Sequence, residues 1–530
     1  MNHPDVLIVG AGPSGLMLAC QLAMQNISFR IIDKTEDHTT QSRALVIQAR
    51  SLELLDQMGI APRAIENGQT ARAIGAFFNG KKILRLIVNQ MGGNLTKFPF
   101  FLMLEQSRTE NILIDFLKAR GHQVERRTEL QTLAENGDSV TCRLKLPNGE
   151  EETVHAKFIV GADGAHSVVR QQLNIPFAGK TFNQSLFVLD CRADVDIPGN
   201  EMYLTFSKEA LGGFFPLTNG RWRILGNIPE ELEGKENITF ADIEKNFAKR
   251  TNMVVRLYDP QWISAYHSHH RYASTFKKGH CFLIGDAAHI HSPVGAQGMN
   301  TGLQDACNLS WKLILVLKAG ARPSLLDSYT EERITIAKKL VRSTDRIFNV
   351  VTSSNLLVKT IRLYVVPLML KLVAPAFRKL TFLQRAAFKM ISEIGIHYRK
   401  SSLSKGASFG TFPPSAPRPG DRLPYISMTV DGHDAPIAEW LQNRFFCVLM
   451  FSENPPPELV SCIETLKDCM SIQTIPETPE TQTLYKVFGI KESGYYLIRP
   501  DGYIACRSQS MKAETLKTYL TGNLHVDWKN

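Results

Sequence analysis

The chain has 530 residues, 44% apolar and 21% charged, a balance that fits a folded globular protein and excludes a disordered or fibrous one. At roughly 150 residues per domain it holds material for three or four units with an ample core. A formal net charge of +10 comes with no recognised nucleic-acid-binding fold, and nine scattered cysteines with no C-x-x-C pair indicate neither a disulfide scaffold nor a zinc or redox dithiol site.

The first predicted element is the strand Val6–Val9, inside residues 5–15 (DVLIVGAGPSG). It starts so early that no room is left for a signal peptide, and a reducing cytoplasm is the expected location. Gly10, Gly12 and Gly15 follow at G-x-G-x-x-G spacing, with Pro13 and Ser14 between them. The first glycine allows a tight turn, the second lets the backbone approach a pyrophosphate, and the third lets a helix pack closely on the strand. A helix is expected over 16–22, its N-terminus offering free N–H groups to phosphates. A second strand over 28–32 ends at Asp33, whose carboxylate can bind ribose hydroxyls, followed by Lys34. The alternative, a glycine-rich turn without a ligand, does not explain the strand, the helix and the acid together.

Two later segments continue the pattern. Residues 158–164 read FIVGADG, and residues 282–300 read FLIGDAAHIHSPVGAQGMN. Each is a short apolar strand running into a glycine-bearing turn. In this order and at these separations, the three segments point to bound flavin adenine dinucleotide (FAD). The stretch 302–317 has helical apolar spacing through Ala306, Leu309, Leu313, Val316 and Leu317. Its first turn would offer free N–H groups and a positive dipole end to an anion.

These motifs resemble those of the FAD-dependent aromatic hydroxylases, single-component monooxygenases typified by p-hydroxybenzoate hydroxylase and phenol hydroxylase. Gly161-Ala162-Asp163-Gly164 with Arg170 is similar to the family's pyrophosphate and NAD(P)H loop, and Gly285-Asp286-Ala287-Ala288-His289 to the motif whose acid binds the ribityl chain. Pro293 with Gly295-Ala296-Gln297-Gly298-Met299-Asn300 resembles the loop under the isoalloxazine ring, with Pro293, Gly298 and Asn300 nearest it. Family members often carry a second Gly where this chain has Ala296. Arg43 and Gln106 match family flavin contacts. The resemblance covers nearly all of the chain. It implies an α/β architecture: a Rossmann-like FAD-binding domain, an inserted antiparallel substrate sheet and a C-terminal thioredoxin-like domain.

On this basis the FAD-binding domain is expected over 1–180, with an excursion into the substrate domain near 75–100, and again over 273–345. Between 181 and 272, alternating runs at 186–189, 201–206 and 222–225 read as antiparallel strands. Phe214, Phe215 and Pro216 resemble a family strand that covers the substrate, so they are expected near the ring being oxidised; plain sheet core is an equal reading for the two phenylalanines. The triplet His267, His269 and His270 alternates across a strand, so it reads as solvated or hydrogen-bonded and not as a metal site. His289 reads as a positioning residue.

Residues 338–405 carry fourteen Lys or Arg against Asp345 and Glu393. The segment 346–410 is expected to be helical, and its uncharged run 363–370 is too short to span a bilayer. Helices packed on the FAD domain are the weightier reading, and a basic amphipathic surface touching anionic lipid is the other. A Pro-rich boundary over 413–420 leads into the last unit, 411–530. There 420–424, a strand over 445–451 and Arg499-Pro500-Asp501-Gly502-Tyr503 recur in the phenol hydroxylase branch. Cys462 and Cys469 do not form a redox pair, so this unit is expected to serve structure, either homodimer contact or flavin shielding.

The resemblance implies that NADPH or NADH reduces FAD, that O2 then forms a flavin C4a-hydroperoxide, and that one oxygen atom passes to a phenolic or polyketide-like ring. Only one G-x-G-x-x-G unit is present, as expected where the nicotinamide binds transiently. Baeyer–Villiger oxidation or epoxidation on the same fold, and a non-catalytic FAD-binding protein, remain alternatives. A halogenase is less favoured because W-x-W-x-I-P is missing.

Overall fold

The computed structural model describes all residues except 1–2, 38–43, 236, 292–294, 354, 431–432, 443–444 and 527–530. Arg43 and Pro293 therefore lie outside the described residues, as does the side chain of His267.

A five-stranded sheet forms the first layer, in the order Lys277–Lys278, Cys281–Leu283, Phe158–Gly161, Val6–Val9, Phe29–Ile32. Its last four strands are parallel, with Val6 opposite both Phe158 and Phe29. Every residue of Val6–Val9 and of Phe158–Gly161 is buried. A parallel strand covered on both faces must be apolar throughout, which is why these runs do not alternate. Two helices cover this sheet and pack on each other, Pro13–Met24 and Gly298–Lys318. Both begin earlier than the apolar spacing suggested. Pro13 suits the first helical position, where no N–H is needed, and the second helix starts inside the glycine loop itself.

An eight-stranded sheet forms the second layer. Its order is His289–Ile290, Val255–Ala273, Phe177–Val195, Trp222–Asn227, Leu211–Pro216, Glu201–Phe206, Ala73–Phe78, Lys81–Ile87. The hairpin of the last two strands brings the excursion near 75–100 into this sheet, through parallel pairing of Ala73–Phe78 with Glu201–Phe206. The sheet begins before residue 181, because Phe177 already pairs with Ala273. Side chains alternate across it. Phe187, Leu189, Phe214 and Ile224 face an apolar cluster closed by the helix Phe240–Thr251. Val188, Phe215, Arg223 and Leu225 face the other way, into a cavity.

A third sheet, ordered Ser408–Phe409, Ile504–Ser508, Gly494–Ile498, Phe446–Phe451, Met470–Ile475, builds the C-terminal unit. A buried ionic network ties it to Gly298–Lys318. Arg499 donates to Glu332 at 2.8 Å and to Asp501 at 2.6 Å, and Lys312 donates to Glu332 at 3.0 Å. Burial pulls the Lys312 ammonium down to about 8 against the attraction of Glu332. All nine cysteines are free and buried.

Candidate active site

The glycine turn is held by backbone geometry. Gly10 has φ +104, and a Cβ there would lie 2.4 Å from the carbonyl oxygen of Ala162. Gly12 differs: its φ is −76 and a Cβ would meet nothing within 4 Å. The turn is thus closed toward the protein at Gly10 and open at Gly12, where a ligand would come. Asp33 fixes it from the side. One carboxylate oxygen accepts the Ala11 N–H at 2.7 Å and the other accepts from Thr35 N and Oγ1 at 2.8 and 2.6 Å.

Three sequence-distant segments meet at Ser14. A Cβ on Gly285 would stand 2.4 Å from Ser14 Oγ, and one on Gly302 2.3 Å from it. Only hydrogen fits at those two positions, so the first helix, the turn bearing Asp286 and the helix Gly298–Lys318 close around one point. Asp305 orders that turn from behind. It accepts Gly285 N–H at 3.1 Å, pairs with His289 Nε2 at 2.8 Å and accepts Arg333 Nε at 2.6 Å. Burial works against its charge, yet Arg333 and His289 hold its carboxyl below the usual carboxylate range.

Asp163 performs an analogous service. Its Oδ2 accepts Val168 and Val169 N–H at 2.7 and 3.2 Å, capping the short helix Val168–Gln172, and burial pushes its carboxyl up. Arg170 donates to Ala287 O at 2.9 Å and so joins this loop to the Asp286 turn.

A cavity of about 540 Å³ opens between the two large sheets, inside the usual range for a small-molecule site. At one end it is lined by Gly12, Pro13, Ser14, Gly164 and Asp286, and beside them by Gln106, Gln297, Gly298 and Met299. The helices beginning at Pro13 and Gly298 have no side-chain cap, so first-turn N–H groups of both are presented to this end. Two helix N-termini suit a pyrophosphate and an anionic ring. Open space at Gly12 with these donors fits FAD.

Asn300 and Gly295 work from the wall. Buried Asn300 donates to Val46 O and Ala296 O at 2.8 and 2.9 Å and accepts Gln48 N–H at 2.8 Å. Gln48 in turn donates to Gly295 O at 3.2 Å. Ala296 adopts φ +51, a left-handed conformation that favours glycine, so the loop carries mild strain. Gly15 serves packing, its Cβ position lying 2.0 Å from Gly10 O, and Lys34 is exposed. Neither they nor Asp33, Asp163 and Asn300 line the cavity.

The other end is lined by Val188, Phe215, Arg223, Leu225 and Tyr266 from the eight-stranded sheet, with Leu45, Val46, Ile290 and His291 nearby. Phe214 and Phe215 part here. Phe214 is fully buried in the cluster beneath the sheet, on the face away from the cavity, because adjacent strand residues point to opposite faces, so of its two readings the geometry favours sheet core. Pro216 is buried at the strand end and does not line the cavity.

Arg223 is the charged group of this end. It donates from Nε and Nη2 to the two oxygens of Asp190, both at 2.7 Å, and Trp262 Nε1 donates to the same carboxylate at 2.9 Å. Sequence reasoning missed Arg223, Asp190 and Asp305. An alternating strand holding an unexpected Asp or Arg in an apolar run, as in VLDC and WRIL, was the available signal.

A sequence profile of the FAD binding domain matches residues 3–344, and a profile of the C-terminal domain of aromatic-ring hydroxylases matches residues 416–524. The chain belongs to the FAD-dependent aromatic hydroxylases. It is a flavoprotein monooxygenase, and FAD is its cofactor. It is 32% identical to the 6-methylpretetramide 4-monooxygenase of Streptomyces rimosus, over 99% of this chain and 94% of that protein. Among solved structures, OxyS anhydrotetracycline hydroxylase from Streptomyces rimosus is 25% identical, covers 98% of both chains and superposes with a TM-score of 0.77. The flavin-dependent monooxygenase PieE, solved with FAD and substrate, reaches a TM-score of 0.80 at 20% identity over 99% of both chains, a likeness of fold.

Proposed function

We propose that this monooxygenase hydroxylates a fused-ring phenolic, polyketide-like substrate, using O2 and either NADPH or NADH. The observation that carries this reading is a continuous cavity that runs from the dinucleotide turn to an apolar sheet face bearing the buried cation Arg223. Relatives named for 6-methylpretetramide and anhydrotetracycline support the substrate class. Bound FAD would supply the redox chemistry, taking two electrons from the nicotinamide and passing one oxygen atom of O2 to the substrate while the other leaves as water.

The chain's own residues do the rest. Gly12, Ser14 and the first turn of the helix at Pro13 would hold the cofactor's pyrophosphate, and Asp286 would hold its ribityl hydroxyls. The N-terminus of Gly298–Lys318 would stabilise negative charge on the flavin's pyrimidine edge. Gln106, which lines the cavity, would hold the ring system. Phe215, Val188 and Leu225 exclude water and press on the substrate ring, while Arg223, fixed by Asp190, orients an electron-rich oxygen of it. The C-terminal sheet we read as thioredoxin-like and structural, since Cys462 and Cys469 are buried apart in the chain and unpaired. The same nine free cysteines support a reducing, cytoplasmic setting.

The test is NADPH and NADH oxidation by the purified yellow protein under air, with and without phenolic and polyketide compounds, followed by product masses. A compound that accelerates oxidation and gains one oxygen atom on a ring carbon is the expected result. Ring expansion to a lactone, an epoxide, or a flavin that neither nucleotide reduces would overturn the hydroxylase reading.

A further inference from the structure

The helical segment after residue 350 presents an apolar surface that the active site does not use. Among the described residues, the large apolar side chains left exposed all fall between 350 and 390, apart from Val254 and Tyr258. They follow a helix. Residues 356–379 run as one helix with a π-turn over Ile361–Val365, and Thr381–Ile391 forms a second. Leu357, Ile361, Tyr364, Leu368 and Leu372 recur at intervals of three and four, so they share one side. Leu368 is 58% exposed, Leu372 66% and Phe382 64%.

The opposite side is anchored. Leu363 and Phe388 are buried, at 6% and 1% exposure; the helix Val366–Lys379 packs on the strand Lys81–Ile87, and Thr381–Ile391 packs on the helix Val88–Gly92. The exposed stripe is therefore held outward on a fixed support.

Charge selects what covers it. Between 346 and 392 there are eight cationic residues (Arg346, Lys359, Arg362, Lys371, Arg378, Lys379, Arg385, Lys389) and no acidic one. Lys371, Lys379, Arg385 and Lys389 are exposed beside the apolar stripe. A second copy of the chain would set eight cations against eight. A bilayer with anionic headgroups offers apolar depth and negative charge together. Among the described residues no helix is long and apolar enough to cross a membrane, so contact would be in the plane of the surface.

We propose that residues 356–391 form a peripheral docking face for membranes containing anionic phospholipid. The face adjoins the active-site wall. Gln297, which lines the cavity, donates to the carbonyl of Met390 at 3.4 Å, and Met390 is 69% exposed. Docking would bring the cavity to a surface where fused-ring aromatic compounds concentrate.

The test is flotation of the FAD-loaded protein with vesicles of phosphatidylcholine alone and with phosphatidylglycerol added, at low and high salt. Co-flotation only with phosphatidylglycerol, weakened by salt, is expected. The double variant L368E/L372E should reduce it by about tenfold or more, and K371E/K379E by severalfold. Flavin absorbance and thermal melting verify that both variants are folded. No flotation with phosphatidylglycerol vesicles overturns the proposal, and so does flotation undiminished in both variants. A lipid-free dimer that L368E/L372E dissociates would overturn it too, by showing that a second copy covers the face.

Discussion

The two ends of the cavity are built by different means. The cofactor end is backbone: a glycine turn, two uncapped helix starts and close contacts that leave room only for hydrogen. The substrate end is side chains, from strands that reach the cavity from positions 188, 215, 223 and 266. Backbone geometry tolerates almost no substitution, whereas a side-chain wall can be rebuilt for a different ring. That contrast explains how one fold holds one cofactor and serves relatives named for different substrates.

The sharpest way to break the contrast is at Gly10 and Gly12, two glycines of one turn. Gly10→Ala places a methyl against the backbone of Ala162 and Asp163, within 2.4 to 2.8 Å, at a φ of +104. Neither backbone atom can move without disturbing the parallel sheet, so the variant should lose both flavin and several kcal/mol of stability, on the order of the large core lesions. Gly12→Ala meets no protein atom. It should melt within about a degree of the wild-type apoprotein, since substitutions away from such features change little, yet bind FAD at least tenfold more weakly. Thermal melts of apoprotein and flavin titration read the two effects separately. If Gly12→Ala retained FAD normally, the pyrophosphate would not approach there.

The next effect lies at the substrate end. Asp190→Ala leaves Arg223 buried without its carboxylate, and breaking one partner of such a pair costs about 3–5 kcal/mol. Replacing both, as Asp190→Leu with Arg223→Met, should recover most of that stability, because a buried ion pair is no stronger than well-packed apolar residues. Turnover should not recover, and the flavin should stay bound. Urea unfolding, flavin fluorescence and kcat/KM measure the three. A double variant that is stable and still fully active would remove Arg223 from substrate orientation.

The same contrast governs what was legible in the sequence. Val6–Val9 and Gly10, Gly12 and Gly15 are neighbours in the chain, and their spacing is itself the geometry, so the cofactor end could be read directly. Asp190 and Arg223 are 33 residues apart on paired strands, and a bulge between Asp190 and Arg192 shifts the register of the strand Phe177–Val195 against Val255–Ala273. A shift of one residue turns every side chain to the other face, so alternation announced a sheet without saying which of Phe214 and Phe215 faced the cavity. Asp305 was hidden for a related reason. Its partners His289 and Arg333 lie on the edge strand His289–Ile290 and on a different helix, and one acid in an apolar helix does not reveal them. In 346–405 the charge excess was plain, but the outward face became definite only once Val366–Lys379 and Thr381–Ile391 were placed against the sheet hairpin and its following helix.

The smallest expected effect is electrostatic and lies behind the cofactor end. Glu393 is buried where Thr301 Oγ1 donates to it at 3.3 Å and Gln304 also donates, on the first turns of the helix whose N-terminus faces the cavity. Burial pushes its carboxyl from 4.5 up to about 8, although Arg333 pulls the other way. A folded-state value above the unfolded one means that the fold prefers the protonated acid. The stability it contributes is full below 4.5, declines as the unfolded chain ionises first, and is gone once the pH passes about 8. Glu393→Gln stays neutral throughout and keeps a donor and an acceptor for the same partners. Its melting temperature should match wild type at about pH 5 and exceed it by a few degrees at about pH 9. Parallel melting profiles for the two proteins across that range would show that Glu393 is already ionised in the fold, with Arg333 outweighing burial, and that the helix start facing the flavin carries a negative charge behind it.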